Sequence, residues 1–178
     1  MKAFLDACVL YPTVLREILV GCAAADLYRP LWSPRVLEEW ARATRKIPDG
    51  EVFARGEIAA LRARFPKAEV RPGEATEARM YLPDPNDVHV LAAASDAGAD
   101  ILVTLNIRDF PRGDVAAEGI SLSNPDAFLM DLWLAHSDAV AGVVAGVHAT
   151  ACRLSGEDLD RRAMMKRARL PRLGKALD

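Results

Sequence analysis

Apolar positions along the first hundred residues come in two periods. Ala3-Phe4-Leu5 is a short unbroken run that ends at Asp6, and Val14 to Ala25 then carries apolar residues at helical spacing, the pattern of a strand followed by a helix. Tyr28 to Trp32 reads as a connection or a short strand. Ser33-Pro34 then opens a helix, Ser as N-cap and Pro at the first helical position, running to about Lys46. Pro48-Asp49-Gly50 interrupts, and Glu51 to Phe65 has helix-forming composition with only Gly56 against it. Glu69-Val70-Arg71 is read as a short strand. Leu82-Pro83-Asp84-Pro85-Asn86 holds two prolines and turn residues, so it is a loop. The helix it leads into begins near Asp87 and stops at Gly98. Asp100-Ile101-Leu102-Val103-Thr104 is the clearest strand, an apolar run of buried parallel-sheet type, with Asn106 and Asp109 just beyond it.

Strands alternating with helices in this order predict an α/β fold with a mainly parallel sheet. Ligands in such folds bind outside the carboxyl ends of the strands. From Pro125 the pattern is helical without a strand: Pro125 to Ala135, Asp138 to Leu154, then a basic stretch. The chain therefore reads as a domain over residues 1–125 and a C-terminal helical extension over 126–178.

Composition narrows this. The 178 residues are 51% hydrophobic and only 6% aromatic, which suits helices on a sheet better than a β-sandwich. Cys8, Cys22 and Cys152 are far apart and show no Cys-x-x-Cys or Cys/His spacing, so neither a disulfide framework nor a zinc site is expected. They read as small buried hydrophobes in a reducing compartment. Asp6 breaks the apolar start that a signal peptide needs, and no long apolar run follows, so the expected location is the cytoplasm with no membrane association. The formal charge of -2 argues against a generic basic nucleic-acid binder, yet Arg161 to Lys175 holds seven Lys or Arg and no acid. That stretch is either a field for phosphate or a solvated helix face.

The chemistry sits in the acids. Asp6 follows the first strand, Glu38 and Glu39 lie on the helix opened by Ser33-Pro34, Asp84 and Asp87 flank a helix start, and Asp109 follows the central strand. In a parallel sheet such positions can meet at one edge. Each acid alone has an ordinary explanation, as a cap, a solvated face or a turn residue. Asp6 is the hardest to explain so, because a charge directly after a buried strand needs a partner or an ion. Hard divalent cations take oxygen ligands, and Mg²⁺ uses a few carboxylates and keeps its waters.

Four segments, in order, resemble the PIN domain, with closest likeness to its VapC-type toxin branch: Phe4-Leu5-Asp6-Ala7-Cys8-Val9-Leu10, Trp32-Ser33-Pro34-Arg35-Val36-Leu37-Glu38-Glu39-Trp40, Pro83-Asp84-Pro85-Asn86-Asp87-Val88-His89-Val90-Leu91-Ala92-Ala93-Ala94, and Val103-Thr104-Leu105-Asn106-Ile107-Arg108-Asp109-Phe110-Pro111. The resemblance covers about residues 1–125. It implies a compact parallel sheet flanked by helices, Mg²⁺ or Mn²⁺ dependence, and cleavage of single-stranded RNA restrained by a cognate antitoxin. By motif, Asp6, Glu39 and Asp87 match the family's metal-holding catalytic acids, Glu39 being preferred to Glu38 by its spacing from the serine. Asp84 resembles an auxiliary carboxylate. The departure is Asn106, where the family often has Asp, although Thr-x-Asn also occurs in the toxin branch. Asp109 is then a candidate for the missing charge, and Thr104 for a hydrogen bond to an acid or a bound water.

The expected mechanism is hydrolysis of an RNA phosphodiester by metal-activated water. His89 is given a minor place, His136 and His148 a lesser one. Arg35, Arg42 and Arg108 are candidate phosphate contacts, and Trp32 and Trp40 are read as packing rather than base-stacking residues. The extension is expected to bind the antitoxin, complete a homodimer or cover the core. Rival readings are a non-catalytic PIN-like RNA-binding module, with Asn106 as its symptom, and a different Mg²⁺-dependent phosphohydrolase. No P-loop or Gly-x-Gly-x-x-Gly segment is present.

Overall fold

The computed structural model describes residues Met1–Leu177; Asp178, the last residue of the extension read from the sequence, lies outside it. Four strands, β1 (Lys2–Leu5), β2 (Arg29–Leu31), β3 (Ile101–Val103) and β4 (Ser121–Ser123), form one sheet in the order β2-β1-β3-β4. Every pairing is parallel, with Phe4 opposite Leu31 on one side and Leu102 on the other. The chain leaves β1 in one direction to form β2 and comes back on the other side to form β3. The strand order therefore reverses at β1, and the crevice at its carboxyl end is where α/β sheets bind ligands. Asp6 is the first residue there.

The chain divides into two compact units. The first, Met1–Tyr11 with Arg29–Ser123, holds the whole sheet. Its helices are α1 (Ala7–Leu10), α3 (Pro34–Ala43), α4 (Gly50–Arg64), α5 (Glu74–Arg79), α6 (Val88–Asp96) and α7 (Arg112–Ala117). Its core is Phe4, Leu5, Trp32, Val36, Leu37, Trp40, Leu102, Val103, Phe110 and the apolar run Val90–Ala94, all buried. In β1 and β3 successive residues are buried, so both faces are covered there and no alternation is needed.

The second unit takes in Pro12–Tyr28 and the chain from Asn124, and is helical throughout: α2 (Thr13–Ala24), α8 (Pro125–Ala135), α9 (Ser137–Ser155), α10 (Arg161–Arg167) and α11 (Pro171–Ala176). Gly21 lets α2 approach α9 closely, since a Cβ there would meet Val143 Cγ1 at 2.5 Å. Tyr28 packs edge-on against Phe128 with ring centroids 5.0 Å apart, and its hydroxyl donates to the Leu19 carbonyl at 2.9 Å. Buried Asp126 accepts from the backbone N–H groups of Arg172 and Leu173, both at 3.0 Å, and so caps α11 from α8. Asp126→Ala is expected to cost about 1 to 2 kcal/mol, the range for losing a helix cap. Thermal melting followed by circular dichroism reads this as a Tm lower by a few degrees; an unchanged Tm would show that water replaces the carboxylate there.

Local sequence explains the element ends. Ser33 Oγ accepts from Val36 N at 3.1 Å to start α3, and Asn124 Oδ1 accepts from Ala127 N at 2.9 Å to start α8, each with proline next in line. Behind α6, Gly98 takes φ +60 and Ala99 N bonds to Ala94 O at 2.9 Å, the glycine stop expected there.

The differences from the sequence reading are small and have causes. The expected strand at Glu69–Arg71 is only a single parallel bridge between Trp32 and Glu69, cut short by Pro72. The helix opened by Ser33 ends at Ala43 and continues to Lys46 as one 3₁₀ turn, where Thr44 Oγ1 donates back to Ala41 O at 2.7 Å. The loop before α6 contains a 3₁₀ turn at Pro85–Asp87, and α6 itself starts at Val88. Helices α1, α5 and α7 and strand β4 had no readable period because each is between three and six residues long. Among the described residues no helix is long and apolar enough to cross a membrane.

Candidate functional site

Asp6 is the fixed point of the site. It is only 5% exposed, and as N-cap of α1 it accepts from Ala7 N at 2.6 Å through Oδ1. Its other oxygen accepts from Thr104 Oγ1 at 2.7 Å and from Cys8 Sγ at 3.1 Å. Thr104 is fully buried and itself accepts from Asn106 N at 3.0 Å, while Cys8 Sγ accepts from Leu105 N at 3.2 Å. The turn after β1 and the turn after β3 are thus tied together through one carboxylate. Burial, and then the charge of Asp6, push the Cys8 thiol up to about 12. Cys8 stays protonated at neutral pH and serves as an S–H donor, not as a thiolate ligand or nucleophile.

Three aspartates, Asp6, Asp84 and Asp109, act electrostatically on a fourth, Asp87. Asp87 has its pKa pushed up to about 6, first by burial and then by the charges of Asp6, Asp84 and Asp109, with His89 opposing. Four aspartates from three separate turns therefore share one electrostatic field. Asp84 also caps its own turn, Oδ1 accepting from Asn86 N at 2.9 Å, and Asp109 closes the 3₁₀ turn Ile107–Asp109. Asn106 is exposed and its side chain makes no cap hydrogen bond; the backbone N–H links it to the site.

Glu39 enters differently. Its Oε1 lies 2.9 Å from His89 Nε2 and 3.3 Å from Arg35 Nε. Burial alone would raise its pKa, but His89 and Arg35 outweigh that and hold it below the ordinary glutamate value. The His89 contact is close but off the direction of a good N–H hydrogen bond, and neither ring nitrogen of this 2% exposed side chain has a well-directed partner. Glu38 points elsewhere, to Arg55 and Arg42, which draw its pKa down. Of the two adjacent glutamates, Glu39 is the one that contacts His89 of α6, the helix that follows Asp87.

The other candidates fall outside this group. Arg35 and Arg42 are engaged with Glu39 and Glu38, Arg108 is exposed, and Trp32 and Trp40 are buried in the core. His136 and His148 lie in the second unit. Cys8 and His89 are the contributors that the sequence reading missed or underweighted. The signal for Cys8 was its place two residues after Asp6 in a strand-to-helix turn; reading it as a buried apolar residue is corrected by its partly exposed position and its bonds to Asp6, Thr104 and Leu105.

The donor set fits a hard divalent cation. All four converging groups are carboxylates, and their mutual repulsion is visible in Asp87, so a cation would relieve it. Among the described residues no three Asp, Glu, His or Cys stand as a ready cage.

Comparison with known proteins agrees with this architecture. The family model described as PIN domain matches residues 2–108, which takes in Asp6, Glu39, Asp87 and Asn106. The chain belongs to the PIN domain family. It is 30% identical over 124 residues to a Mycobacterium tuberculosis (strain ATCC 25618 / H37Rv) protein named "Putative ribonuclease VapC50", a match covering 67% of this chain and 61% of that protein. The chain thus spans less than two thirds of that relative's length. No solved structure matches it.

Proposed function

We propose that this chain is a cytoplasmic Mg²⁺- or Mn²⁺-dependent endoribonuclease of the VapC toxin type, hydrolysing single-stranded RNA and restrained by a cognate antitoxin. The PIN-like domain, residues 1–125, carries the reaction, with Asp6, Glu39 and Asp87 holding the metal and Asp84, Thr104, Asn106 and Asp109 supporting them. The observation that carries this reading is the group of carboxylates at the sheet's carboxyl end, where Asp87 is pushed up to about 6 by burial and by neighbouring acids. PIN-domain membership and the likeness to a protein named a ribonuclease support it. An antitoxin and a second copy of the chain are the partners this reading implies.

Bound there, the cation would polarise a phosphodiester and lower the pKa of a water. The protein's own part is preorganisation. Thr104, Cys8 and Ala7 N fix both oxygens of Asp6, so no reorientation is needed when the site fills. Arg35 and His89 hold the Glu39 carboxylate in its ionised form. The raised pKa of Asp87 makes this carboxylate the one with most to gain from a nearby positive charge.

Incubating the purified chain with single-stranded RNA and Mn²⁺ or Mg²⁺ tests this. Internal cleavage is expected that EDTA abolishes and added metal restores. RNA that is bound but never cut, across varied sequences, would move the chain to a non-catalytic RNA-binding module. Turnover of small phosphomonoesters instead of RNA would move it to another class of phosphohydrolase.

A further inference from the structure

The second unit ends in two short helices whose charges are arranged unlike those of the rest of the chain. Along helices α10 and α11, Met164, Met165, Ala168, Leu170, Leu173 and Gly174 are all buried. Gly174 sits so tightly on Met165 that an added Cβ would lie 2.8 Å from the Met165 Cβ. With that face inside, Lys166, Arg167, Arg169, Arg172 and Lys175 are turned out and exposed. No acid interrupts the segment from Arg161 to Lys175.

In the first unit, five of the exposed arginines have carboxylate partners. Arg42 pairs with Glu38, Arg45 with Glu51, Arg55 with both Glu38 and Glu51, Arg62 with Glu69 and Arg79 with Glu118. Among the described residues the side chains of Lys166, Arg167, Arg169, Arg172 and Lys175 pair with no carboxylate. Five unpaired cations within ten residues repel one another, and their field favours a partner carrying closely spaced negative charge.

We propose that the α10–α11 hairpin is a backbone anchor for single-stranded RNA, separate from the residues that cut it. This rests on the reading of the chain as a ribonuclease. A nucleic-acid backbone is favoured over an acidic protein because no large apolar side chain is exposed anywhere on the hairpin, and the core of a protein interface is built around aromatic or apolar anchors. Phosphate contacts of this kind add affinity without reading sequence.

The test uses the full chain in EDTA, where RNA stays intact, with a labelled single-stranded RNA titrated over a range of salt. Lys166→Gln, Arg167→Gln, Arg172→Gln and Lys175→Gln are combined in one variant, all at exposed positions, with circular dichroism and Tm checking that the fold is kept. Affinity at low salt is expected to fall about 30-fold or more, and the slope of log K against log salt to flatten by about two to three, at roughly 0.7 per lost phosphate contact. A control with Arg45→Gln and Arg62→Gln, which removes the same kind of charge from paired positions, is expected to change affinity less than about twofold. In the cleavage assay with metal, the hairpin variant should raise KM and leave kcat alone. Parental RNA affinity and slope in the hairpin variant overturns the anchor, including the case in which these cations serve an acidic protein. Because binding is measured without metal, it decides the anchor even if the chain proves unable to cut RNA; failure of the nuclease reading would show only in the cleavage assay.

Discussion

Asp6→Asn is expected to lower RNA cleavage at least about 100-fold, more than a metal site loses with a residue that only orients one of its ligands, while leaving the fold intact. The amide keeps an oxygen for Ala7 N, and the Thr104 hydroxyl can turn to accept from the new Nδ2 and donate to Cys8 Sγ, so the Cys8 donor is the one left without an acceptor. That is about 1 kcal/mol of stability. What disappears is the one buried carboxylate that the turns after β1 and β3 both hold. A second readout is independent of turnover. After burial, Asp6 is the strongest charge acting on Asp87, so its removal should bring the Asp87 pKa down from about 6 toward the ordinary range, measurable by carboxyl NMR in the metal-free protein. RNA binding in EDTA should survive. A variant that still cuts at a third or more of the parental rate would put the reaction elsewhere in the chain.

How far the sequence foretold this site depends on which residues carried the signal. Asp6 was legible because a charge after Ala3-Phe4-Leu5 has no apolar explanation, and Asp87 because Pro83 and Pro85 force a turn before an alanine-rich helix. The parallel sheet was legible in Ile101-Leu102-Val103 and in the alternation of strands with helices. Strand β4 was not, since Ser121-Leu122-Ser123 has one apolar residue and joins the sheet only because Ile101–Val103 offers an open edge beside it. The membership of α2 in a unit with the C-terminal helices was equally hidden, because it depends on Gly21 meeting Val143, a contact 122 positions apart in the chain with no local period to announce it. The same holds for His89 and Glu39. They lie in separate motifs with no local spacing to pair them, and only the placing of α3 near α6 brings Nε2 to 2.9 Å from the carboxylate. Sequence therefore exposes acids placed by turns and a nearby partner such as Thr104, and conceals partners such as His89 that arrive from another element.

Asp87→Asn should make the metal-free protein more stable and, in the same molecule, inactive. The Asp87 pKa of about 6 lies above the unfolded value of 3.8, so the folded state binds the proton more tightly than the unfolded chain does. Stability then falls as pH rises from about 4 to about 6 and stays at its lower level above that. The difference between the folded and unfolded values corresponds to about 3 kcal/mol at full strength, and partial exposure to solvent reduces this to about 1 to 2 kcal/mol. Asparagine keeps the shape and removes the charge, so at pH 7.5 in EDTA the variant should melt a few degrees above the parent. The gap should narrow through pH 6 and close near pH 4, where the parent carries its own proton. Saturating Mn²⁺ should reverse the order at neutral pH: ligand at a hundredfold its Kd adds about 2.7 kcal/mol to the parent, and a site lacking Asp87 gains much less. Scanning calorimetry across pH, with and without metal, measures all of this together. A gap between the two proteins that does not change with pH would mean that Asp87 sits outside the repulsive field, and the carboxylate group would no longer account for where a cation binds.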